Sequence, residues 1–394
     1  MSLWLIVPRD PLIFRDGKPF TATPGERSKS LGFPFPSTLA GAVRTRSGTN
    51  PQESFDVNRI GELLTKSVRG PLLVELDADG KIAQHYFPAP ADALLVDAED
   101  QEKAKDKDKV QCYALAPINP PQDALTDLTD LALVGHVPHV KEKPYHKAPR
   151  HWNWGTMQSW LMGAFDTDKP IDPKTIGLED LPREHRTHVS IDPAIQASRE
   201  GALFQTSGME FLRAELNAEK RVKDAHSLAL AIETDATLKE GADFLGGERR
   251  VVRWQKTQEV MPKCPDAIKQ KIIAQKHCRL ILATPAYFEK DYLPSRLQKD
   301  FNIKIIAAAL SRYQTISGWD YAKENGGAPK PTRRLVPAGS VYFLNLKGVA
   351  DIEAFVNAVW LQAISDDDQS RLDGFGLALL GAWDGVMRNM EALS

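Results

Sequence analysis

The sequence predicts an α+β protein made of two ferredoxin-like (RRM-like) domains with insertions, and three observations predict it. Strand-like and helix-like segments are interleaved through both halves of the chain, with hairpins as well as crossovers between them. The first half opens as strand, helix, then hairpin. The second closes as strand, helix, glycine loop, strand. Together these are two versions of the β-α-β-β-α-β plan. No close sequence repeat links the halves. A change of composition near residues 180–186 sets the boundary. It gives an N-terminal domain over 1–185 with charged and Trp/His-rich insertions, and a C-terminal domain over 186–394 with the glycine loop.

The apolar run Leu3-Trp4-Leu5-Ile6-Val7 has strand length and no alternation, which predicts a buried strand. Phe33-Pro34-Phe35-Pro36 must be extended, because each proline pushes its predecessor out of the helical region. Ser37 is expected to cap a helix over 38–46 with Leu39, Ala40 and Val43 inward. Gly41 costs that helix about 1 kcal/mol relative to Ala, so it reads as a close-packing contact or as backbone presented to a ligand. Residues 72–76 and 81–87 form a hairpin across Asp77-Ala78-Asp79-Gly80. Residues 97–109 carry almost no apolar side chain and read as a solvated excursion. Residues 110–115 then return as a strand, and 136–160 are proline-broken and rich in His, Lys and Trp.

In the second half, 187–192, 202–205, 227–232 and 278–283 read as strands, and 227–232 is apolar enough to be central. Gly246-Gly247 turns the chain into 251–254. Asp351 caps a helix whose residues Ile352, Phe355, Val356, Val359, Trp360 and Ala363 share one face. Strands at 340–346 and 377–382 flank that helix, with Gly374-Phe375-Gly376 before the second. Glycines on both sides of an aromatic expected to be exposed free the backbone for close approach.

A chain of 394 residues can bury a large core. A formal net charge of -2 leaves no global footprint for nucleic acid, so any such binding must come from local clusters. Cys112, Cys264 and Cys278 are few, odd in number and widely spaced, which fits a reducing cytoplasm and argues against a disulfide framework and a CxxC zinc site. No apolar stretch approaches membrane-spanning length, and residues 3–7 are too short for a signal-peptide core. A cytoplasmic protein with no membrane partner is expected.

The chain lacks GxxxxGK[ST], a GxGxxG after a strand and a GxSxG elbow. Asp366-Asp367-Asp368 reads as solvated surface at a helix junction rather than a metal cluster. His136, His139, His146 and His151 have no cysteine and few carboxylates beside them, so surface or interface roles outweigh zinc. His185 and His188 are separated by the extended segment that follows them. We therefore expect no cofactor, no metal and no catalytic residue. Basic residues are more informative. No acid falls in the window that holds Arg27, Lys29, Arg44 and Arg46. Further clusters are Arg249, Arg250, Arg253 and Lys256; Lys330, Arg333 and Arg334; and Lys141, Lys143, Lys147 and Arg150 beside Trp152 and Trp154. In a slightly acidic chain such clusters favour a charged groove for phosphates and single-stranded RNA.

Long blocks also resemble a known family. Pro8-Arg9-Asp10-Pro11-Leu12-Ile13-Phe14-Arg15-Asp16-Gly17-Lys18-Pro19-Phe20 and Phe33-Pro34-Phe35-Pro36-Ser37-Thr38-Leu39-Ala40-Gly41-Ala42-Val43-Arg44 are similar to the start of the third subunit of the type III-B CRISPR (Cmr) effector complex. That family belongs to the RAMP superfamily, built from two ferredoxin-like domains. Leu245-Gly246-Gly247-Glu248-Arg249-Arg250, Ala338-Gly339-Ser340-Val341-Tyr342-Phe343 and Gly374-Phe375-Gly376 continue the likeness. The resemblance implies a non-catalytic subunit that grips the 5′ tag of the CRISPR RNA. Its implied partners are the large cyclase-like subunit and the first backbone RAMP subunit, with target RNA met only indirectly. A protruding hairpin that splays bases is typical of the superfamily. The site residues it implies are Lys29, Arg44, Arg249, Arg250, Gly374, Phe375 and Gly376, to which the acid-free window adds Arg27 and Arg46. The alternative is a metal-independent RAMP endoribonuclease that processes repeat RNA with a histidine near the first helix. Residues 27–50 contain no histidine, so His85, His146 or His188 would have to substitute.

Overall fold

The computed structural model describes the chain apart from residues 16–29, 51, 53, 99–108, 121–123, 125, 127, 129, 139, 218, 220, 321–326 and 391–394. Candidates Arg27 and Lys29, and most of the charged excursion, therefore lie outside the described residues. The fold is mixed α and β, with several separate sheets.

β1 (Ser2–Pro8) is the apolar run foreseen, with Leu3 to Val7 all at most 8% exposed. α1 (Pro36–Gly48) starts with proline in its first turn and buries Leu39, Ala40 and Val43. Its N-cap is extended Phe35 and not Ser37, and no side chain caps it; Phe35 O accepts from Thr38 N. Gly41 is exposed, and a Cβ there would meet nothing within 4 Å, which removes the close-packing reading. α2 (Ile60–Leu64) and β2 (Val68–Leu76) follow. The Asp77 carboxylate then accepts from Asp79 N and Lys81 N, closing the expected turn.

β3 (Ala93–Asp97) pairs with β4 (Val110–Ala114). β5 (His151–Asn153) leads into α3 (Trp154–Met162), capped by Asn153 and ended by left-handed Gly163. β6 (Arg183–Asp192) and β7 (Ala197–Met209) form a long two-stranded ribbon. Next come β8 (Leu212–Leu216), β9 (Val222–Thr234), β10 (Gly241–Phe244) and β11 (Val251–Lys256). α4 (Asp266–Gln275), β12 (His277–Leu282), α5 (Ser295–Phe301) and β13 (Lys304–Ala309) follow. The chain closes through β14 (Val341–Asn345), α6 (Ile352–Val359), α7 (Asp368–Asp373) and β15 (Ala378–Ala382). Asp351 caps α6 through Ala354 N as expected, but the helix stops at Val359, and Trp360 and Ala363 instead bridge to Ala378 and Leu377.

Two compact units result. The first takes Met1–Ala83, Asp180–Val260 and Thr315–Arg334; the second takes Gln84–Glu179, Met261–Gln314 and Leu335–Ser394. A single boundary near 185 thus marks only one of the places where the chain leaves one unit for the other. In the first unit β10, β11, β1, β9 and β2 lie side by side in that order, with β8 extending β9. β1 runs antiparallel to both of its neighbours, β9 and β11. β9 contains the apolar 227–232 segment and is central, but it serves this unit and not a C-terminal domain. In the second unit the order is β13, β14, β12, β15, antiparallel throughout. Its chain order is β12, α5, β13, β14, α6, β15. Phe355, Val356 and Val359 of α6 are fully buried.

Trp152 and Trp160 are also core residues of the second unit, 0% and 2% exposed, with rings edge to face at 5.5 Å. The Trp160 indole donates to buried Asp92, which accepts from Arg279 at 2.7 Å on its other oxygen. Burial raises the thiol pKa of all three cysteines, Cys112 to about 12 and Cys264 to about 11. They are packing residues rather than nucleophiles.

Candidate nucleic-acid interface

The first unit brings two of the singled-out sequence blocks together. Leu12 exchanges backbone hydrogen bonds with Met209 of β7, and Ile13 O accepts from Gly247 N at 2.7 Å. The Asp10 carboxylate accepts from Val251 N at 2.8 Å. Gly246 has φ +78°, and a Cβ there would lie 2.5 Å from Ile13 O. Glycine is thus required for the N-terminal strand's continuation to lie against this turn. Beyond it Glu248 and Arg249 both take left-handed conformations, at φ 58° and 50°. Such backbone costs about 1–2 kcal/mol per residue and concentrates at functional turns.

The predicted arginines divide sharply by environment. Arg249 is exposed, and its guanidinium lies 4.4 Å from the ring centroid of Phe244, itself 47% exposed. Arg250 is 8% exposed and pairs with Glu248 at 2.8 Å, so it is a structural residue of the turn. Arg46 donates to Lys239 O at 2.8 Å and to Asp243 at 2.6 Å, and it lies over Trp254, tying α1 to β10. Arg44 donates to Leu63 O and Lys66 O at the end of α2. These two basic residues near the end of α1 are therefore clamps within the chain. Asp243 and Phe244 are neighbours on β10, so alternation sends Arg46 and Arg249 to opposite faces of one short strand.

The glycine loop belongs to the second unit and is internal. Phe375 is 0% exposed, which overturns the expectation of an exposed, stacking aromatic. Gly374 N donates to Arg371 O, Phe375 N to Ser370 O and Gly376 N to Pro285 O. Thr284 Oγ1 donates to Gly374 O and accepts from Leu377 N; Ser365 Oγ donates to Phe375 O. No N–H of the loop is left for an RNA in this conformation. The neighbouring aspartates are similarly employed: Asp366 accepts from Glu289 N and Arg296 N, while Asp367 caps α7. Among the described residues no cluster of His, Cys, Asp and Glu could hold a metal ion.

Structure adds residues that sequence reasoning missed. Arg9 and Arg186 are exposed beside the same turn. Glu184, 2.8 Å from Arg186, raises that guanidinium's pKa, with smaller contributions from Asp10 and Glu248. The β6–β7 ribbon pairs Val189 with Leu203, 43% and 57% exposed, and Ile195 at its tip is 71% exposed. Exposed apolar side chains on a projecting ribbon suit a contact with another molecule. On the opposite face His188 stacks on Phe204 at 5.1 Å and 14°, with Nε2 2.9 Å from Thr206 Oγ1. The only signals for the ribbon residues were strand-like patterns at 187–192 and 202–205.

With this geometry established, comparison with known proteins assigns the chain. The model of the CRISPR-associated protein (Cas_Cmr3) family matches residues 4–383. The chain belongs to this family. It is a subunit of the type III-B CRISPR (Cmr) effector complex. A search of curated proteins gave no match. Among solved structures, a chain of a type III-B Cmr-β complex bound to cognate target RNA and AMPPnP is similar at 13% identity and TM-score 0.44, covering 90% of this chain and 88% of that one. A second Cmr-β complex bound to cognate target RNA gives 14%, 0.45, 87% and 86% on the same measures. A chain of a Csm3–Csm4 subcomplex from the type III-A interference complex gives 10%, 0.39, 97% and 99%. The family match, and not these distant likenesses, carries the assignment.

Proposed function

We propose that this chain is a non-catalytic RNA-binding subunit of the type III-B effector, holding the 5′ tag of the CRISPR RNA and docking to the large cyclase-like subunit. The first backbone RAMP subunit is its other neighbour in this reading, and target RNA is met only indirectly. The carrying observation is the exposed Arg249–Phe244 pair on the Gly246–Gly247 turn, with Arg9 and Arg186 close by and an apolar ribbon rooted at the same place. Guanidinium groups hold phosphates, and a half-exposed ring with a cation on it suits an unstacked base. The ribbon's Val189, Leu203 and Ile195 suit an apolar wedge between bases.

The strand orders support reading both units as ferredoxin-like. In each, the first strand lies between the third and fourth, and the second strand pairs with the third. In the first unit β10 and the glycine turn stand where that plan has its second helix. No specific observation favours the endoribonuclease reading; His188 is engaged by Phe204 and Thr206.

The test is Arg249→Glu with Phe244→Ala in the full-length chain, assayed by fluorescence anisotropy with tag-bearing CRISPR RNA. Losing one charged contact and one stacking platform should weaken binding about 30-fold or more, since stacking alone is worth about 1–3 kcal/mol per base. Unchanged affinity in a normally melting variant would sink the proposal. Arg44→Glu is not a fair test, because it breaks the tie to α2.

A further inference from the structure

The exposed Phe244 ring shares its side of the first unit's sheet with a second cation. β10 and β11 pair with Phe244 opposite Val251 and Ala242 opposite Arg253, so these four side chains lie on one face. Asp243, Val252 and Trp254 take the other face, where Asp243 pairs with Arg46 and the two apolar residues are buried. On the first face Phe244, Ala242 and Arg253 are all exposed, and Val251 is half-buried. The open part is narrow: Val7, the next residue across from Arg253 on β1, is 8% exposed, so the face is closed at β1. Arg253 is steadied there but not neutralised. Its guanidinium donates to Gln255 Oε1 at 2.8 Å, two residues along the same face. Among the described residues no carboxylate pairs with it, unlike Arg46 and Arg250. Phe244 and Arg253 are diagonal neighbours, about 7–8 Å apart at their backbones, and Ala242 presents only a methyl between them. Acids mark the far end of this ledge. Glu240 accepts from Lys256 N at 2.8 Å, and the Asp77–Gly80 turn lies against Gln255, whose Nε2 is 3.9 Å from where a Gly80 Cβ would stand.

We propose that this ledge extends the tag site by one phosphate of single-stranded RNA, and that Arg253 is the residue that fixes it. A base lies on Phe244 beside Arg249, the chain crosses Ala242, and the adjoining phosphate meets Arg253. Aromatic rings on an open sheet face are a general platform for unpaired bases, which a paired duplex does not offer. A guanidinium beside such a ring neutralises the backbone without reading sequence. The carboxylates beyond Gln255 repel a further phosphate, so the track along β11 ends at this one. The inference rests on the tag-site reading above and deepens it, by giving the bound strand a direction across the sheet and a last contact.

The experiment uses the full-length chain and fluorescein-labelled, tag-bearing CRISPR RNA. Arg253→Gln should weaken binding about tenfold, the worth of one charge-assisted contact. It should also make the slope of log affinity against log salt shallower by about 0.7, as expected for one single-strand phosphate. Ala242→Glu, which sets a carboxylate opposite Arg253, should weaken binding to a similar degree. Uncharged methylphosphonates placed one at a time through the tag then locate the contact. At one position the substitution should weaken binding to the native chain and cost nothing further in Arg253→Gln, a coupling that a merely structural arginine would not show. Unchanged affinity and slope in an Arg253→Gln variant of normal melting temperature overturns the inference, and so does the absence of any coupled position. Intact RNA binding with loss of a partner subunit from the reconstituted complex overturns it as well, since the ledge would then be a protein-docking face. If Arg249→Glu/Phe244→Ala loses tag RNA while Arg253→Gln and Ala242→Glu do not, only this extension fails. If all of these variants bind tag RNA normally, the tag-site reading itself fails and the extension goes with it.

Discussion

Replacing Gly376 by alanine separates an internal splice from an RNA grip. Gly376 has φ +84°, where an L side chain costs about 1–2 kcal/mol. Its new Cβ would lie 3.0 Å from both the nitrogen and the Oγ of Ser365, and 3.3 Å from the Ala286 Cβ. Ser365 cannot readily retreat. Its Oγ donates to Phe375 O and accepts from Tyr287 N, and Ile364 N, one residue earlier, donates to Gly376 O. Crowding of this kind costs about 1–3 kcal/mol in a packed site. The two effects together should destabilise the second unit by about 2–5 kcal/mol, a fall of about ten degrees in its melting transition. Urea and thermal unfolding followed by fluorescence measure the loss. RNA anisotropy on the folded fraction measures function and should show no change. Normal stability with lost RNA affinity would refute the reasoning, because the loop would then have to touch RNA.

Two further outcomes follow from the same packing. Asp92→Ala should cost about 3–5 kcal/mol, because it strands the buried Arg279 guanidinium without its partner; Asp92→Ala/Arg279→Met should be milder than Asp92→Ala alone, and urea unfolding showing a loss under about 1 kcal/mol for the single variant would contradict this account. Gly41→Ala should stabilise α1 by about 0.5–1 kcal/mol in the same assay, since the added methyl meets nothing; a loss of stability would mean that the helix surface at Gly41 is not open.

What the sequence revealed was local. β1, β12, β14, β15 and α6 are legible because their apolar runs or faces state their own period. Asp351 and the Asp77–Gly80 turn are legible because short polar side chains satisfy nearby backbone. The site was legible only in part. Charge can be read from a sequence, but its partner cannot: Arg44 and Arg46 spend their guanidinium groups on carbonyls and a carboxylate of distant residues. Arg249 remains outward because Glu248 is taken by its other neighbour, Arg250. The loop's polar groups around buried Phe375 are closed over by Thr284, far along the chain, and by Ser365, ten residues away. The exposed ribbon was seen as strand but not as surface, since its apolar residues look no different from core residues until their neighbours are known.

The strand order of the first unit has a consequence for synthesis. β1 is made before both of its sheet neighbours, is apolar from Leu3 to Val7, and hydrogen-bonds to β9 and β11. Both partners lie beyond residue 221, so the nascent chain carries an unpaired apolar strand until more than two hundred further residues have been added. Such strands invite aggregation, and pairings so distant in sequence form slowly. A fragment ending at 185 would strand β1 permanently, with neither neighbour present. The first sheet can close only after Lys256 has been made, and the second only after Ala382. The two units are therefore interleaved in time as well as along the chain, and each waits on segments made after the other has begun.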